Sequence, residues 1–202
     1  MNFSSQVLIA VIVLISGCST MTRVDHVPQK QNEERNLVIF FDGTANDEGS
    51  YTNVARLYNL VTLQNRHDIS ATYINGVGTG ARVFGMAAGW GIGHDVREAY
   101  LYLLENYDPE YDQISIFGFS RGAYASRILA ALLYVAGVPD VRHLDKDDRE
   151  ALAMDIYSAY KSKEKIEQRR KEVAEAISTQ WGDKIRYSPE PVSYTHLTLP
   201  TT

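Results

Sequence analysis

Cysteine is almost missing from this chain: among 202 residues only Cys18 carries a thiol. No internal disulfide can form, and no thiolate cluster can hold a metal. Basic charge is not in surplus either, since 20 Lys and Arg stand against 25 Asp and Glu for a net charge of −5. That balance excludes a protein whose main business is binding nucleic acid, and no such partner is expected. The apolar run Val7–Ile15 is far shorter than the roughly 20 residues a helix needs to cross a bilayer. What remains, 45% hydrophobic and 22% charged, is enough for one globular domain with a real core.

The sole cysteine follows the apolar run directly, in Ser16-Gly17-Cys18-Ser19. An apolar core that ends in small residues is a secretion signal. Ending this way, it resembles the lipobox of bacterial lipoproteins, whose cysteine is acylated and becomes the new N-terminus. The resemblance implies a signal peptide over 1–17, a lipid anchor on Cys18 and residence in the bacterial envelope. Ser19 after the cysteine implies the outer membrane, on its periplasmic side. Met1–Gln6 holds no Lys or Arg, so the positive charge of a signal rests on the terminal amine alone. Residues 18–35 are polar and aperiodic beyond the cysteine, which predicts a flexible tether.

The folded part is expected from Asn36. Leu37–Phe41 is a continuous apolar run, the pattern of a strand buried on both faces. It stops at the turn-forming Asp42-Gly43-Thr44. Thr52 precedes an amphipathic helix carrying Val54, Leu57, Tyr58 and Val61 on one face. Ala71–Ile74 reads as a second strand, followed by glycine clusters at 76–80 and 85–93. A helix with Val96, Tyr100, Leu103, Leu104 and Tyr107 on one face begins at about His94, and Gln113–Phe117 is a third strand. Ala123–Tyr134 is a helix apolar nearly all round. Strands alternating with helices predict an α/β sheet, mostly parallel.

Gly118-Phe119-Ser120-Arg121-Gly122 is G-x-S-x-G between a strand and a helix, the context in which that motif is informative. The turn is too tight for side chains at the flanking positions, hence Gly118 and Gly122, and it lifts the Ser120 hydroxyl above the sheet. Ser120 is therefore the candidate nucleophile. The Arg121 N–H, at the start of the next helix, is the first oxyanion donor. A second donor belongs to the loop after an earlier strand, which points to the backbone of Gly43 and Thr44. Asp42 sits where catalytic groups collect, but its preferred role is to brace that loop through backbone hydrogen bonds. The spacing Gly76-x-Gly78-x-x-Ala81 formally meets a dinucleotide fingerprint, but a further glycine cluster stands where the helix should begin. A nucleotide-binding or non-catalytic module that keeps the elbow for packing is the rival reading; no cofactor and no metal is expected.

Four separated stretches carry a resemblance: LVIFFDGTANDEGSYTNVARLY, INGVGTG, AYLYLLENY and IFGFSRGAYASRILAALL. In this order they resemble the bacterial α/β-hydrolase family typified by type VI secretion phospholipase effectors, with F-D-G-T, G-V-G-T and G-F-S-R-G-A in place. The resemblance covers Asn36 to about Gly137. It implies an ester or phospholipid substrate, Ser120 as nucleophile, and a catalytic Asp and His from later in the chain. A lipobox departs from the effector members, which are injected.

Beyond Gly137 a capping box, Asp147-x-x-Glu150, opens a helix to about Tyr160. A charged segment then carries Ile166, Val173, Ile177 and Trp181 as a thin apolar stripe. Residues 145–182 thus read as a charged helical insertion or lid. Ser120, Asp183 and His196 stand in the chain order of a triad. However, VSYTHLTLPTT at the end resembles the translation of a sequencing-library adapter, which predicts that 192–202 lie outside the native protein and its fold. On that reading the domain, 36–191, is α/β-hydrolase-like but incomplete at its C-terminus, and the chain by itself is inactive.

Overall fold

In a computed structural model of the chain, described over residues 23–29, 33–44, 46–76, 90–161, 164–185, 187 and 194–198, five strands form one sheet. They are β1 Arg23–His26, β2 Arg35–Phe41, β3 Ile69–Ile74, β4 Asp112–Gly118 and β5 Tyr194–Thr198, in the order β1-β3-β2-β4-β5. All neighbours run parallel except β1, which is antiparallel to β3. The expected α/β architecture is what the chain adopts.

The central strand β2 explains its own composition. Leu37, Ile39 and Phe41 enter one apolar cluster, while Val38 and Phe40 enter the cluster on the other face. With both faces covered, every residue of the run must be apolar. One face is covered by helix α1, Asn53–Leu63, which buries Val54, Ala55 and Tyr58 against Phe40, Ala71 and Tyr73. Thr52 caps it, accepting from the Ala55 N–H at 3.0 Å. The other face carries α2 (Trp90–Asn106), α3 (Arg121–Ala136), α4 (Lys146–Tyr160) and α5 (Ile166–Trp181).

Chain direction locates the site. From β2 the chain crosses over α1 to β3 on one side, whereas from β3 it crosses over α2 to β4 on the other side of β2. The carboxyl ends of β2 and β4 therefore flank a crevice at the point where strand order reverses, the place where open α/β sheets bind ligands. At the amino ends of the same two strands, Arg35 donates to both carboxylate oxygens of buried Asp112, at 3.0 and 2.7 Å. Arg35 also donates to the Asn106 carbonyl, and the Asp108 N–H donates to Asp112, so this ion pair is satisfied all round.

Several expectations need correction. The tether is not free over its whole length: Arg23–His26 pairs with β3, and Arg35, read as its last residue, begins β2. The register is held from outside the segment, by Arg23 on Glu105 at 2.7 Å and Thr72 donating to Asp25 at 2.6 Å. The cap of α4 is Asp145, which accepts from the Asp148 N–H at 2.8 Å, rather than a box at Asp147 and Glu150. Helices α4 and α5 do lie where the charged insertion was expected. However, Leu152, Ile156, Val173, Ile177 and Trp181 join Leu129 and Leu133 in the main cluster, so they are a second helical layer behind α2 and α3.

Tyr194–Thr198, expected to take no part in the fold, runs parallel to β4 with Tyr194 opposite Ile114 and Thr198 opposite Gly118. The segment alternates and is rich in β-prone residues, and β4 otherwise presents an unpaired edge that accepts such a strand. The expected signal segment 1–17, Cys18 and the glycine-rich residues 77–89 lie outside the described residues. Among the described residues no helix is long and apolar enough to cross a membrane.

Candidate active site

Strand β4 ends at Gly118 and α3 begins at Arg121, leaving two residues for a full reversal of direction. Ser120 takes up that demand with φ 54° and ψ −121°. A non-glycine residue held there costs on the order of 1–3 kcal/mol, which the surrounding structure must sustain. It does so by crowding. A Cβ on Gly118 would lie 2.0 Å from the Ser126 hydroxyl oxygen, and one on Gly122 would lie 2.2 Å from the Phe41 carbonyl oxygen. The Phe119 N–H donates to the Phe41 carbonyl at 3.1 Å, tying the turn to the end of β2. Both glycines are therefore required by contact, as the motif predicts. Ser120 is exposed, and its side chain does not cap the helix it precedes.

The opposite wall is the loop after β2. Asp42 is 3% exposed and accepts four hydrogen bonds. Oδ1 accepts from the Gly43 N–H at 2.6 Å and from Asn46 at 3.4 Å; Oδ2 accepts from Thr52 Oγ1 at 2.5 Å and from the Tyr73 hydroxyl. Burial, then the neighbouring carboxylate, raises the Tyr73 pKa, so the phenol stays a donor. Asp42 is thus a brace, the preferred sequence reading. The same geometry corrects another expectation: the Gly43 N–H is occupied by Asp42 and does not face the crevice as an unclaimed donor. Thr44 N–H is left as that loop's candidate. Gly43 matters for a different reason, since a Cβ there would sit 3.1 Å from the Phe119 ring. Gly76 closes the same corner, where a Cβ would fall 1.6 Å from the Gly43 carbonyl oxygen.

Behind the elbow lies a group that the sequence reading passed over. The Arg121 side chain turns inward, 16% exposed, and meets Asp95 Oδ2 at 3.2 Å. Asp95, on the first turns of α2, is 4% exposed, and its Oδ1 has no hydrogen-bond partner among the described residues. Burial raises its pKa to about 7, against the lowering pull of Arg121 and with a further push from Glu98. Periodicity could have found it: Asp95, Val96, Ala99, Tyr100 and Leu103 all fall on the buried stripe of α2.

No histidine is hydrogen-bonded to Ser120 among the described residues. His67 pairs with Glu33 at 3.5 Å, His143 meets the Lys184 carbonyl at 3.2 Å, and His26 lies on the edge strand β1. Asp183 is exposed beyond α5, and His196 stands opposite Ile116, in the middle of β5 rather than at its site end. The chain-order triad is not assembled.

Residues 35–195 match the family described as type VI secretion system phospholipase effector Tle1-like, catalytic domain. The chain belongs to that family. Every element of the Tle1-like domain from β2 to α5 falls inside the match, and with them Asp42, Gly43, Thr44, Asp95 and Gly118–Gly122. An uncharacterized protein of Saccharomyces cerevisiae, YEL023C, is 27% identical over 123 residues, covering 52% of this chain and 18% of the relative. The chain thus spans under a fifth of the length of that curated relative. No solved structure matches the Tle1-like chain.

Proposed function

We propose that this chain carries the nucleophile half of an α/β-hydrolase site that cleaves carboxylic esters, with phospholipids as the substrate class. The observation that carries the reading is the backbone of Ser120, held at φ 54° between two glycines at the head of α3. The Ser120 hydroxyl attacks the ester carbonyl. The oxyanion forms beside the Arg121 N–H, one of the unpaired donors at the helix start, with Thr44 N–H from the braced loop as its companion. Asp42 keeps that loop in place. A histidine base and its carboxylate partner come from outside the described residues. Water then releases the acyl group. The order of strands, with the oxyanion loop on β2 directly beside the nucleophile strand β4, supports the hydrolase arrangement.

A fluorophosphonate probe tests the reading on the full-length protein. Labelling at Ser120 that disappears in Ser120→Ala supports it; a folded protein that stays unlabelled points to a non-catalytic α/β module. Attachment to the outer membrane through acylated Cys18 belongs to the same proposal. Cells fed labelled fatty acid should incorporate it into the wild-type product and not into Cys18→Ser. Incorporation that survives the substitution removes the anchor.

A further inference from the structure

We infer that Asp95 is a positioning residue for the reaction at Ser120: it anchors the Arg121 side chain and thereby orients the Arg121 backbone N–H that closes the oxyanion hole. The inference rests on the nucleophile reading above and names a group that reading does not contain.

An arginine at the first turn of an exposed helix end would ordinarily extend into water. Here it folds back across to another helix, 26 residues earlier in sequence, and among the described residues its side chain meets Asp95 alone. The residue is tied at three points around one peptide. Phe119 is bonded to Phe41, Gly122 is wedged against Phe41 and Asp42, and the Arg121 side chain is moored to α2. The first two fix where the turn sits. The third acts on the residue whose N–H must meet the oxyanion, and an oxyanion donor works only within a few tenths of an ångström of its place.

Burying an aspartate with one oxygen unpartnered is costly, and a structural pair of this kind adds little stability. The pair at the amino ends, Arg35 with Asp112, uses both oxygens. Asp95 uses one, at 3.2 Å, so the tie is adjustable and depends on charge. The charged groups acting on it are Arg121 from α3 and Glu98 from its own helix; His94 and Arg97 flank it in sequence, and Tyr157 of α4 packs on that helix with its ring 5.5 Å from the Arg97 guanidinium. With a pKa raised to about 7, the carboxylate is ionised above neutrality and the mooring holds; below neutrality it takes up a proton and Arg121 is released.

The first arm of the test uses the 202-residue chain. The Arg121 amide resonance in a nitrogen–proton spectrum should shift with a midpoint near pH 7, and the shift should vanish in Asp95→Asn, which keeps the side-chain volume. An Arg121 amide that is flat in the wild type overturns the inference. The second arm uses the full-length enzyme on a short-chain chromogenic ester. Asp95→Ala should lower kcat by about 10- to 100-fold, short of the ~10²–10³ of losing a donor outright, with KM within about twofold. Arg121→Met should do the same, and the double variant should lose no more than either alone. The acid limb of kcat should follow two protonations in the wild type and one in Asp95→Asn. Wild-type kcat in Asp95→Ala beside an inactive Ser120→Ala refutes the positioning role alone. Turnover that persists in Ser120→Ala refutes the nucleophile and the role of Asp95 with it.

Discussion

The two ends of β2 and β4 are built from the same strands and obey opposite rules. At the amino ends, Arg35 donates two hydrogen bonds to Asp112 in a dry interior and a third to the Asn106 carbonyl, and the Asp108 N–H donates to Asp112 as well. At the carboxyl ends, Ser120 is held in an unfavourable backbone region and Asp95 keeps one oxygen without a partner among the described residues. One end spends its polar groups on each other; the other holds Ser120 exposed and ties Asp95 through one oxygen to Arg121. Strain and incomplete pairing persist only where the surrounding packing enforces them, and they collect at functional sites.

The comparison breaks most sharply at Ser120. Ser120→Gly should raise stability by about 1 kcal/mol, because glycine adopts φ 54° freely, while ester hydrolysis by the full-length enzyme falls by about 10⁴- to 10⁶-fold. Urea denaturation and turnover on one ester measure both; a destabilised Ser120→Gly would mean that the turn is not strained. At the other end the pattern reverses. Arg35→Met leaves Asp112 buried without its cation and should cost about 3–5 kcal/mol in urea denaturation, with kcat of the surviving folded enzyme unchanged.

Gly122→Ala lies between these, since its methyl group would meet the Phe41 carbonyl at 2.2 Å and the end of β2 would have to move. A loss of about 1–3 kcal/mol is expected, together with a fall in kcat, because the displaced turn carries the Arg121 N–H. The smallest effect is one of slope. Burial raises the pKa of Asp95 in the folded chain to about 7, well above the ordinary carboxylate range, so the folded chain binds a proton that the unfolded chain has already lost. Its contribution is therefore most favourable below about pH 4 and is lost as pH rises toward 7, by up to ~1.4 kcal/mol per unit. Thermal melts of Asp95→Asn should lack that component of the slope; an unchanged slope would place the titration elsewhere.

The parts legible in sequence are those whose cause is local. The apolar run at Leu37–Phe41, the Thr52 cap and the glycines around Ser120 each follow from a few neighbouring residues, and each stands where it was expected. The parts that were missed have distant causes. Arg23–His26 looks like tether because its charges are answered by Thr72, Glu98 and Glu105, dozens of residues away. A linear reading gives the Gly43 N–H to the oxyanion because nothing in it shows Asp42 bending back to accept that N–H. Asp95 reads as an ordinary helix-start acid until Arg121 comes against it. Long, charged side chains are where linear pattern is weakest, since they are soluble if left alone and specific only once folded.

The central place of β2 has a kinetic consequence. It is the first strand of the parallel core to be synthesised and stays open on one side until β4 follows, because its partner Asp112 comes 77 residues after Arg35. At ribosomal rates of roughly 5–20 residues per second, β2 stays half-paired for about 4 to 15 s. Through that interval Leu37–Phe41, five apolar residues without a charge, offers an open hydrogen-bonding edge. Such a segment nucleates intermolecular pairing when left bare, so the nascent chain has a stated window in which a holdase, or export in an unfolded form, would decide its yield.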